Sequence, residues 1–207
     1  TYNTYNTGVK FSTGLLGNHF VFDGAYHETA TDGFLHGTAG RSGSYYGGLT
    51  YVGDNFQIRY KNIGNFEKTG QAWNGVVAGN NDASLMGSAI KTYKDLYERG
   101  LGRFNPLYEG LVFDYDKWSF PTDANGKYQT YRYKMDNGSY WEKTTDNFYQ
   151  NHNILSAVWK PSTAWSHNIA LHYTYGPGYY NEFRPNNKFN KFGLTATDKN
   201  GKAVKRS

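Results

Sequence analysis

The stretch from Trp165 to Tyr175 alternates strictly between two kinds of side chain, and this alternation constrains the fold more than any other feature of the chain. One set of alternate positions has Ile169 and Leu171 in its middle, Trp165 at one end, and Tyr173 and Tyr175 at the other. The second set holds only small or polar side chains. A period of two residues predicts a β-strand with two unlike faces. An apolar band between aromatic ends, opposite a polar face, is typical of strands that cross a membrane in about 9–11 residues.

The composition limits how such a strand can meet a membrane. The 207 residues include no cysteine, which excludes disulfides and thiolate metal sites, and no apolar run near the ~18 residues of a membrane helix. Tyrosine, whose ring is apolar and whose hydroxyl is polar, occurs 20 times and suits an interface. The net charge of +5 comes from scattered Lys and Arg with one dense group at residues 202–206, so no nucleic-acid partner is predicted.

Five more segments pair an aromatic or apolar face with a polar one in the same two-residue rhythm. They are residues 5–12, 20–27, 44–51, 56–61 and 152–159. The predicted fold is all-β, an antiparallel meander of about six strands that forms part of a transmembrane β-barrel with long extracellular loops. The smallest such barrels have about eight strands, so the chain is predicted to be a fragment or to take partner strands from elsewhere.

Short connections at residues 14–18, 53–55 and 160–164 are predicted to lie on one rim of this sheet. Residues 30–42 are rich in Gly and Thr and are predicted to be a loop. Residues 73–146 are predicted to be a long extracellular loop, and residues 178–207 to begin a second one. Within the first, the expected features are a short helix at 83–98, a turn at Asn125-Gly126 and a hairpin at 128–143 built on Asn137-Gly138.

The alternation also assigns residues to faces. One convex and exposed surface is predicted to contain Phe20, Phe22, Leu49, Phe56, Ile58, Leu155, Ile169 and Leu171. The concave surface is predicted to contain Arg59, Lys61, Asn168 and His172. The two cations would be costly in a dry core but are compatible with a water-filled lumen.

Two sets of polar side chains suggest chemistry that we consider less favoured. His19, Asp23 and His27 share a strand face, but neighbours in this trio would stand about 13 Å apart, so one strand cannot place them around one zinc ion. Asp114 and Asp116 would lie about 6.6 Å apart on an extended segment, near the ~6.5–9.5 Å of an inverting glycosidase pair. The preferred interpretation of the two aspartates is a solvated loop pair, and calcium would be the ion that suits such a pair.

Aromatic side chains of the long loop are the predicted ligand-binding residues, because such rings stack on sugars or catechols. They are Tyr108, Trp118, Tyr131, Tyr133 and Trp141, with Tyr115 and Tyr140 close to them in sequence. The same rings could instead pack the loop against itself. No catalytic residue, metal site or cofactor is predicted, and the protein is not expected to be an enzyme.

Four segments resemble the ends of barrel strands in one family of outer-membrane proteins. They are Glu67 to Val76, Asp146 to His152, Asn168 to Tyr180 and, near the start of the chain, Thr29 to Phe34. Together they resemble TonB-dependent outer-membrane receptors of the Bacteroidetes type over nearly the whole chain. The loop that follows Phe34 departs from the family.

This resemblance implies a barrel of about 22 strands around a plug, in the outer membrane of a Gram-negative bacterium. The expected function is import of a scarce solute such as a ferric siderophore, haem, cobalamin or a glycan. Expected partners are outer-membrane lipid and lipopolysaccharide, the imported solute, and an energy-coupling complex that acts through the plug, which is absent from this chain.

Two alternatives remain from the residues alone. The first is a secreted, soluble glycan-binding β-sandwich, whose surface aromatics stack on sugar rings. The second, a glycoside hydrolase, depends only on Asp114 and Asp116. Receptor and sandwich differ in where the aromatic face points, which is toward lipid in the receptor and toward a packed second sheet in the sandwich.

Overall fold

A computed structural model describes residues 2–76, 90–141, 144–182 and 187–204, and one antiparallel sheet dominates these residues. Its main strands are β1 (Tyr5–Ser12), β2 (Phe20–Thr31), β3 (Gly40–Val52), β4 (Phe56–Gly70), β7 (Thr145–Ser162) and β8 (Trp165–Tyr175). Each pairs with the next in this order, so the predicted six-stranded antiparallel meander is confirmed. Smaller elements are α1 (Tyr93–Glu98), β5 (Gly110–Leu111), β6 (Thr130–Tyr131), β9 (Gly178–Asn181), a 3-10 helix (Phe189–Phe192), β10 (Ala196–Thr197) and β11 (Ala203–Val204).

The three short connections lie on one rim, as predicted, because alternate strands of an antiparallel meander turn at the same end. The third is shorter than predicted, since β7 continues through Pro161 to Ser162 and leaves only Thr163 and Ala164 as the turn. A shift in register between Trp159 and Ser162 accompanies the proline. Proline cannot donate to the ladder, which explains the irregularity at this point.

The strands reach farther toward the opposite rim than the alternation of side chains indicates. β2 ends at Thr31 and β3 begins at Gly40, so the loop predicted at residues 30–42 is present but shorter, at residues 32–39. β4 continues to Gly70, because its second half pairs residue by residue with the first half of β7. Backbone ladders do not depend on an apolar rhythm, and Gly, Thr and Asn extend them here.

The long loops are correspondingly shorter than predicted. The first loses its last residues to β7, which begins at Thr145. The second was expected to start at residue 178, but β9 occupies Gly178–Asn181 and pairs with Thr145–Phe148 of β7. β8 and β9 thus pair one after the other with the same strand, β7, and the pairing is interrupted at Gly176-Pro177. Of the helix predicted at 83–98, α1 is the part that the structure contains, while residues 83–89 lie outside the described residues.

Cross-strand partners confirm the predicted faces. Phe22, Leu49, Tyr60, Leu155 and Leu171 form one lateral row across β2, β3, β4, β7 and β8. The neighbouring row is Phe20, Tyr51, Ile58, Ala157 and Ile169, and beyond it Phe56 pairs with Trp159. We call this surface the apolar face. Its reverse is the polar face, on which lie Arg59, Lys61, Asn168 and His172.

The apolar face has no packed layer over it in the part of the chain that the structure describes. Leu171 is 62 % exposed, and Phe22, Leu49 and Leu155 are also exposed. The buried apolar side chains of the described ranges are Ile90, Leu101 and Phe104, all from the long loop. Within these same ranges, no helix has the length and apolar character needed to cross a membrane.

Candidate lipid-facing surface and ligand-binding loop

Aromatic rings line the apolar face at the rim of the short turns. Trp159 stacks on His167 with ring centroids 5.4 Å apart, and Trp165 stacks on the same imidazole at 6.1 Å. On the neighbouring strands, Tyr51 and Phe56 stack at 5.4 Å. Above these rings come the two rows of aliphatic and aromatic side chains that contain Ile169 and Leu171. An aromatic edge and an apolar middle therefore follow one another along the sheet.

A hydrogen-bonded network of tyrosine and asparagine side chains follows the apolar rows. Asn62 Nδ2 donates to the side-chain oxygens of Asn151 and Asn153 at 3.0 and 2.9 Å, and Tyr60 Oη donates to Asn153 at 2.5 Å. Asn151 Nδ2 donates to Tyr45 Oη at 2.8 Å. The amides satisfy one another, which lowers the cost of placing them beside apolar surface. The sequence placed Asn153 on this face but gave no sign of the network.

Gly64 makes one part of this network possible. The ring of Tyr45 lies across β4 at this glycine, and a Cβ atom on Gly64 would stand 2.1 Å from the ring. In this position the Tyr45 hydroxyl reaches the Tyr149 hydroxyl at 2.6 Å, which joins β3 to β7 across the intervening strand. A side chain at residue 64 would therefore displace the ring and break the bridge.

A charged cluster lies on the apolar face near the rim of the long loops. Glu28 is only 6 % exposed and accepts hydrogen bonds from Tyr5 at 2.5 Å, from Arg41 at 2.5 Å, and from Tyr26. Arg41 also lies over an aromatic ring, and its lateral partner on β4 is Lys68. The Glu28 carboxylate is shared among three donors. This edge of the face therefore presents two cations, Arg41 and Lys68, and the Arg41 side chain is largely exposed.

The polar face carries charge along its length. Arg59 Nη2 donates to Tyr46 Oη at 3.1 Å and lies 3.7 Å from Asp23 Oδ1. Gly48 leaves room for the Asp23 carboxylate, because a Cβ atom at residue 48 would stand 2.2 Å from Asp23 Oδ2. Ionised side chains grouped in this way need water or a polar partner above them.

The histidine trio does not converge. His19 Nδ1 lies 2.8 Å from the carbonyl oxygen of Val52, and His27 Nε2 lies 2.7 Å from Asn6 Oδ1. Each ring thus joins its own strand to a neighbour. Among the described residues, no group of three or more His, Cys, Asp and Glu side chains is placed to hold a metal ion.

Asp114 and Asp116 do not lie on an extended segment, so the spacing expected for a glycosidase pair does not apply. Asp114 bridges to Ser119 across a tight turn, and its Oδ1 accepts the backbone N–H groups of Asp116 at 3.0 Å and Lys117 at 3.1 Å. These hydrogen bonds, that of Lys117 first, hold the pKa of the Asp114 carboxyl below its usual value. The carboxylate is engaged in the turn that it helps to form.

The long loop is fastened to the sheet through Asn105, which is 0 % exposed. Its Nδ2 donates to the carbonyl oxygens of His36 at 2.8 Å and Gln71 at 2.9 Å, and its Oδ1 accepts from the backbone of Leu107. His36 belongs to the β2–β3 connection, and Gln71 follows β4. One side chain thus joins three segments that are distant in sequence. Sequence reasoning missed it, since Asn before Pro reads as an ordinary turn signal.

Replacing Asn105 should release the loop from the sheet. Asn105→Ala removes the hydrogen-bond partner of two carbonyls and one N–H, and we expect a cost of about 1–3 kcal/mol in loop docking. Hydrogen exchange should show faster exchange at residues 100–112, while the β4–β7 ladder keeps its protection. Asn125→Ala, in an exposed turn of the same loop, serves as the control and should change the exchange rates of neither region. Equal protection in both variants would mean that other contacts hold the loop.

The predicted ligand-binding aromatics fall into separate groups. Arg132 stacks between Tyr108 and Tyr140, at 4.9 and 5.4 Å from the ring centroids. Tyr131 covers Gly110 in the short β5–β6 ladder. The backbones of Tyr133 and Trp141 pair at 2.8 Å in the hairpin that turns at Asn137-Gly138, and this confirms the turn of the predicted hairpin.

Trp118 lies apart from these rings. It meets Phe113 edge to face at 5.4 Å, and Tyr115 and Phe120 contact the same ring. Its backbone is in the left-handed region, with φ at 49°, and the residue is 68 % exposed. A bulky residue in this conformation is uncommon, and the backbone there is strained. Trp118 and the Arg132 group are therefore two distinct aromatic surfaces.

An open cavity of about 700 Å³ lies between α1 and the turn at Asn125-Gly126. Charged side chains dominate its lining, and they include Arg99, Arg103, Lys127, Asp95 and Glu98. Thr92 and Asp95 cap α1 reciprocally, and the backbone N–H groups of Lys91 and Thr92 lower the pKa of the Asp95 carboxyl. None of the predicted aromatic residues lines this cavity. The sequence predicts the turn and the helix that border it, but not the cavity between them.

Comparisons with known proteins give no relative from which a function could be transferred. No family model matches the chain, no curated protein matches it, and no solved structure matches its fold. The resemblance to TonB-dependent receptors therefore stays a prediction, and its strength depends on the geometry of the sheet and the loop.

Proposed function

We propose that this chain is a segment of a TonB-dependent receptor in the outer membrane of a Gram-negative bacterium, and that the receptor imports a scarce solute. The observation that carries the proposal is the apolar face, which is exposed in every main strand and has no packed layer over it in the described ranges. Water would make such a surface unfavourable, whereas lipid tails would cover it.

The dimensions of the face support lipid as its cover. β8 runs from Trp165 to Tyr175, which is about 33 Å along the strand at ~3.3 Å per residue. A tilt of about 40° reduces this to a height of about 25 Å, equal to the apolar band of outer-membrane barrels. The aromatic rim then lies at one interface and the tyrosine–asparagine network at the other, where amphipathic side chains are favoured.

The charged end of the face supports lipopolysaccharide as a neighbour. Arg41 and Lys68 lie side by side just beyond the tyrosine–asparagine network, at the height where phosphate groups of the outer leaflet would stand. Guanidinium and ammonium groups bind phosphate through charge-assisted hydrogen bonds. Glu28 fixes the orientation of Arg41 and leaves much of its side chain exposed.

The edges of the sheet support a larger assembly. In the described residues, β1 pairs only with β2, and β8 pairs only with β7. Lipid offers no hydrogen-bond partner to a free strand edge, so strands outside these ranges must complete the wall. The polar face would then line a wet lumen, and the family's plug and energy-coupling complex would act from that side.

The long loop supplies the surfaces that an arriving solute would meet. The Arg132 group and Trp118 offer stacking surfaces for a catechol siderophore, haem or a glycan, and the cavity beside α1 offers charge. Ferric siderophores, haem, cobalamin and glycans all remain candidates, because the two kinds of surface do not select among them. The rival function, a secreted glycan-binding sandwich, requires a second sheet over the apolar face.

Brominated lipids test the proposal. In vesicles that contain the protein carrying this chain, bromine on the acyl chains near the headgroups should quench Trp159 and Trp165. The quenched part of the fluorescence should fall with Trp159→Phe or Trp165→Phe, and Trp118→Phe should leave it unchanged, because Trp118 lies in the loop. The same protein should fractionate with the outer membrane. Fluorescence without quenching at either position would favour the soluble sandwich.

A further inference from the structure

Three polar atoms on the polar face stand at the corners of a nearly equilateral triangle. His152 Nδ1 lies 3.2 Å from His172 Nε2 and 3.0 Å from Thr174 Oγ1, and the last two atoms are 2.9 Å apart. The residues belong to the adjacent strands β7 and β8, where His152 pairs directly with Thr174 and His172 pairs with Ile154. The ladder therefore fixes the spacing of the three side chains.

These distances suit the inner coordination shell of a small metal ion. Imidazole nitrogen and oxygen ligands lie about 2.0–2.2 Å from zinc, so two ligands of a tetrahedral site are about 3.4 Å apart. An ion about 2.1 Å from all three atoms would sit about 1 Å above the plane of the triangle, with at least one position left open. A triangle of this size is close to one face of such a tetrahedron.

The chemistry of the three atoms favours the same conclusion. A neutral imidazole has one ring nitrogen that donates through its N–H and one that accepts through its lone pair. When the two rings hydrogen-bond to each other, at most one proton lies between the facing nitrogens. A cation can accept a lone pair from each nitrogen and from the hydroxyl at once. The two ring centroids are 5.5 Å apart, with an angle of 22° between the ring planes.

The surroundings do not oppose a positive ion. The lateral neighbours of the pair are Ile63, beside His152, and Ile154, beside His172. The cation Lys61 lies in the row of His172 but two strands away, about 10 Å along the sheet. His27, another histidine of the polar face, does not join this group, because its ring bonds to Asn6.

We propose that His152, His172 and Thr174 form a cross-strand binding site for a divalent transition cation, with Zn²⁺ and Cu²⁺ as the best-suited ions. The two imidazoles are ligands of intermediate softness that suit Zn²⁺ and Cu²⁺, and a single hydroxyl oxygen falls short of the oxygen-rich shells that Mg²⁺ and Ca²⁺ require. The open position would take water or a donor group of a second ligand. Bound metal would also tie β8 to β7, and the site does not depend on whether the apolar face meets lipid.

Calorimetric titration of Zn²⁺ into the full chain tests the site. We expect His152→Ala and His172→Ala each to weaken binding at least about tenfold, and Thr174→Val to weaken it less. The matched control is His27→Ala, which removes another imidazole of the polar face and should leave the affinity unchanged. Mg²⁺ should give no heat of binding at the same concentration.

The Cu²⁺ complex gives a second readout that does not depend on affinity. Its electron paramagnetic resonance spectrum should show coupling to two imidazole nitrogens in the unchanged chain and to one in His172→Ala. Circular dichroism of each variant, together with the conservative His152→Gln, checks that the sheet is retained. Equal Zn²⁺ affinity in His152→Ala, His172→Ala and His27→Ala, or coupling to a single nitrogen in the unchanged chain, would overturn the proposal.

Discussion

Leu171→Arg is expected to destabilise the membrane-inserted protein by about 2–4 kcal/mol. Leu171 lies two rows from the rim pair of Trp159 and His167, in the row of the apolar face that also contains Leu155, Tyr60 and Leu49. A guanidinium at this depth loses its hydration, and no acidic side chain shares the row. Urea titration of the protein folded into vesicles measures the change in the free energy of unfolding.

Arginine at two other positions of β8 distinguishes an apolar face covered by lipid from one covered by protein. Ala170→Arg places the same charge on the polar face and should cost little. Tyr175→Arg stays on the apolar face but moves the charge to the interface, where the expected cost falls to about 0–1 kcal/mol. Under a packed second sheet, the cost of arginine at positions 171 and 175 would depend on how tightly each side chain is packed and not on its depth in a membrane. Equal losses at both would therefore contradict a lipid-facing surface.

The faces of the sheet could be predicted from the sequence because the period of a strand is fixed at two residues. Phe22, Ile58 and Leu171 were assigned to one surface and Arg59 to the other without knowledge of the pairing, and the ladder bears this out. The three short turns were equally accessible, since Gly, Asn and Pro mark them directly. These features depend only on residues that are close in sequence.

The strand ends could not be predicted, because they depend on partners that are distant in sequence. Residues 62–70 lack a clear apolar rhythm, but they continue β4 because β7 offers nine residues of unpaired backbone on that side. β9 exists for the same reason, since Gly178–Asn181 meets the free edge at the start of β7. The alternation alone ends the fourth strand at residue 61, and composition favours a loop from residue 178. At both places the ladder outweighs the local pattern.

The candidate site was predictable only in part, and the reason is again distance along the chain. The aromatic content of the loop predicts ligand-binding residues there, and nothing in the sequence indicates that Arg132 lies between Tyr108 and Tyr140. Asn105 and the cavity beside α1 arise where several segments meet. The His152–His172 pair depends on the register of β7 and β8, which no local pattern encodes.

Removal of the hairpin tip at residues 134–140 is expected to lower solute uptake at least about tenfold while the protein stays in the outer membrane. Tyr133 and Trp141, which flank the excised segment, already pair at 2.8 Å, so two glycines can join them. A wider deletion of residues 128–143 would be less informative, because Tyr128 packs on the loop core of Ile90, Leu101 and Phe104. The narrow excision spares this core.

The expected loss follows from what the hairpin tip holds in place. Without Tyr140, one of the two rings around Arg132 is gone, and the guanidinium keeps only its contact with Tyr108. Uptake of labelled ferric siderophores, haem, cobalamin and glycans by intact cells gives the readout, and surface labelling of the protein confirms insertion. As a control, two glycines replace residues 199–201 in the turn between β10 and β11, a change that removes no aromatic ring. Normal uptake of every solute after the excision would mean that the hairpin only covers the loop, and that in the proposed receptor recognition lies outside this chain.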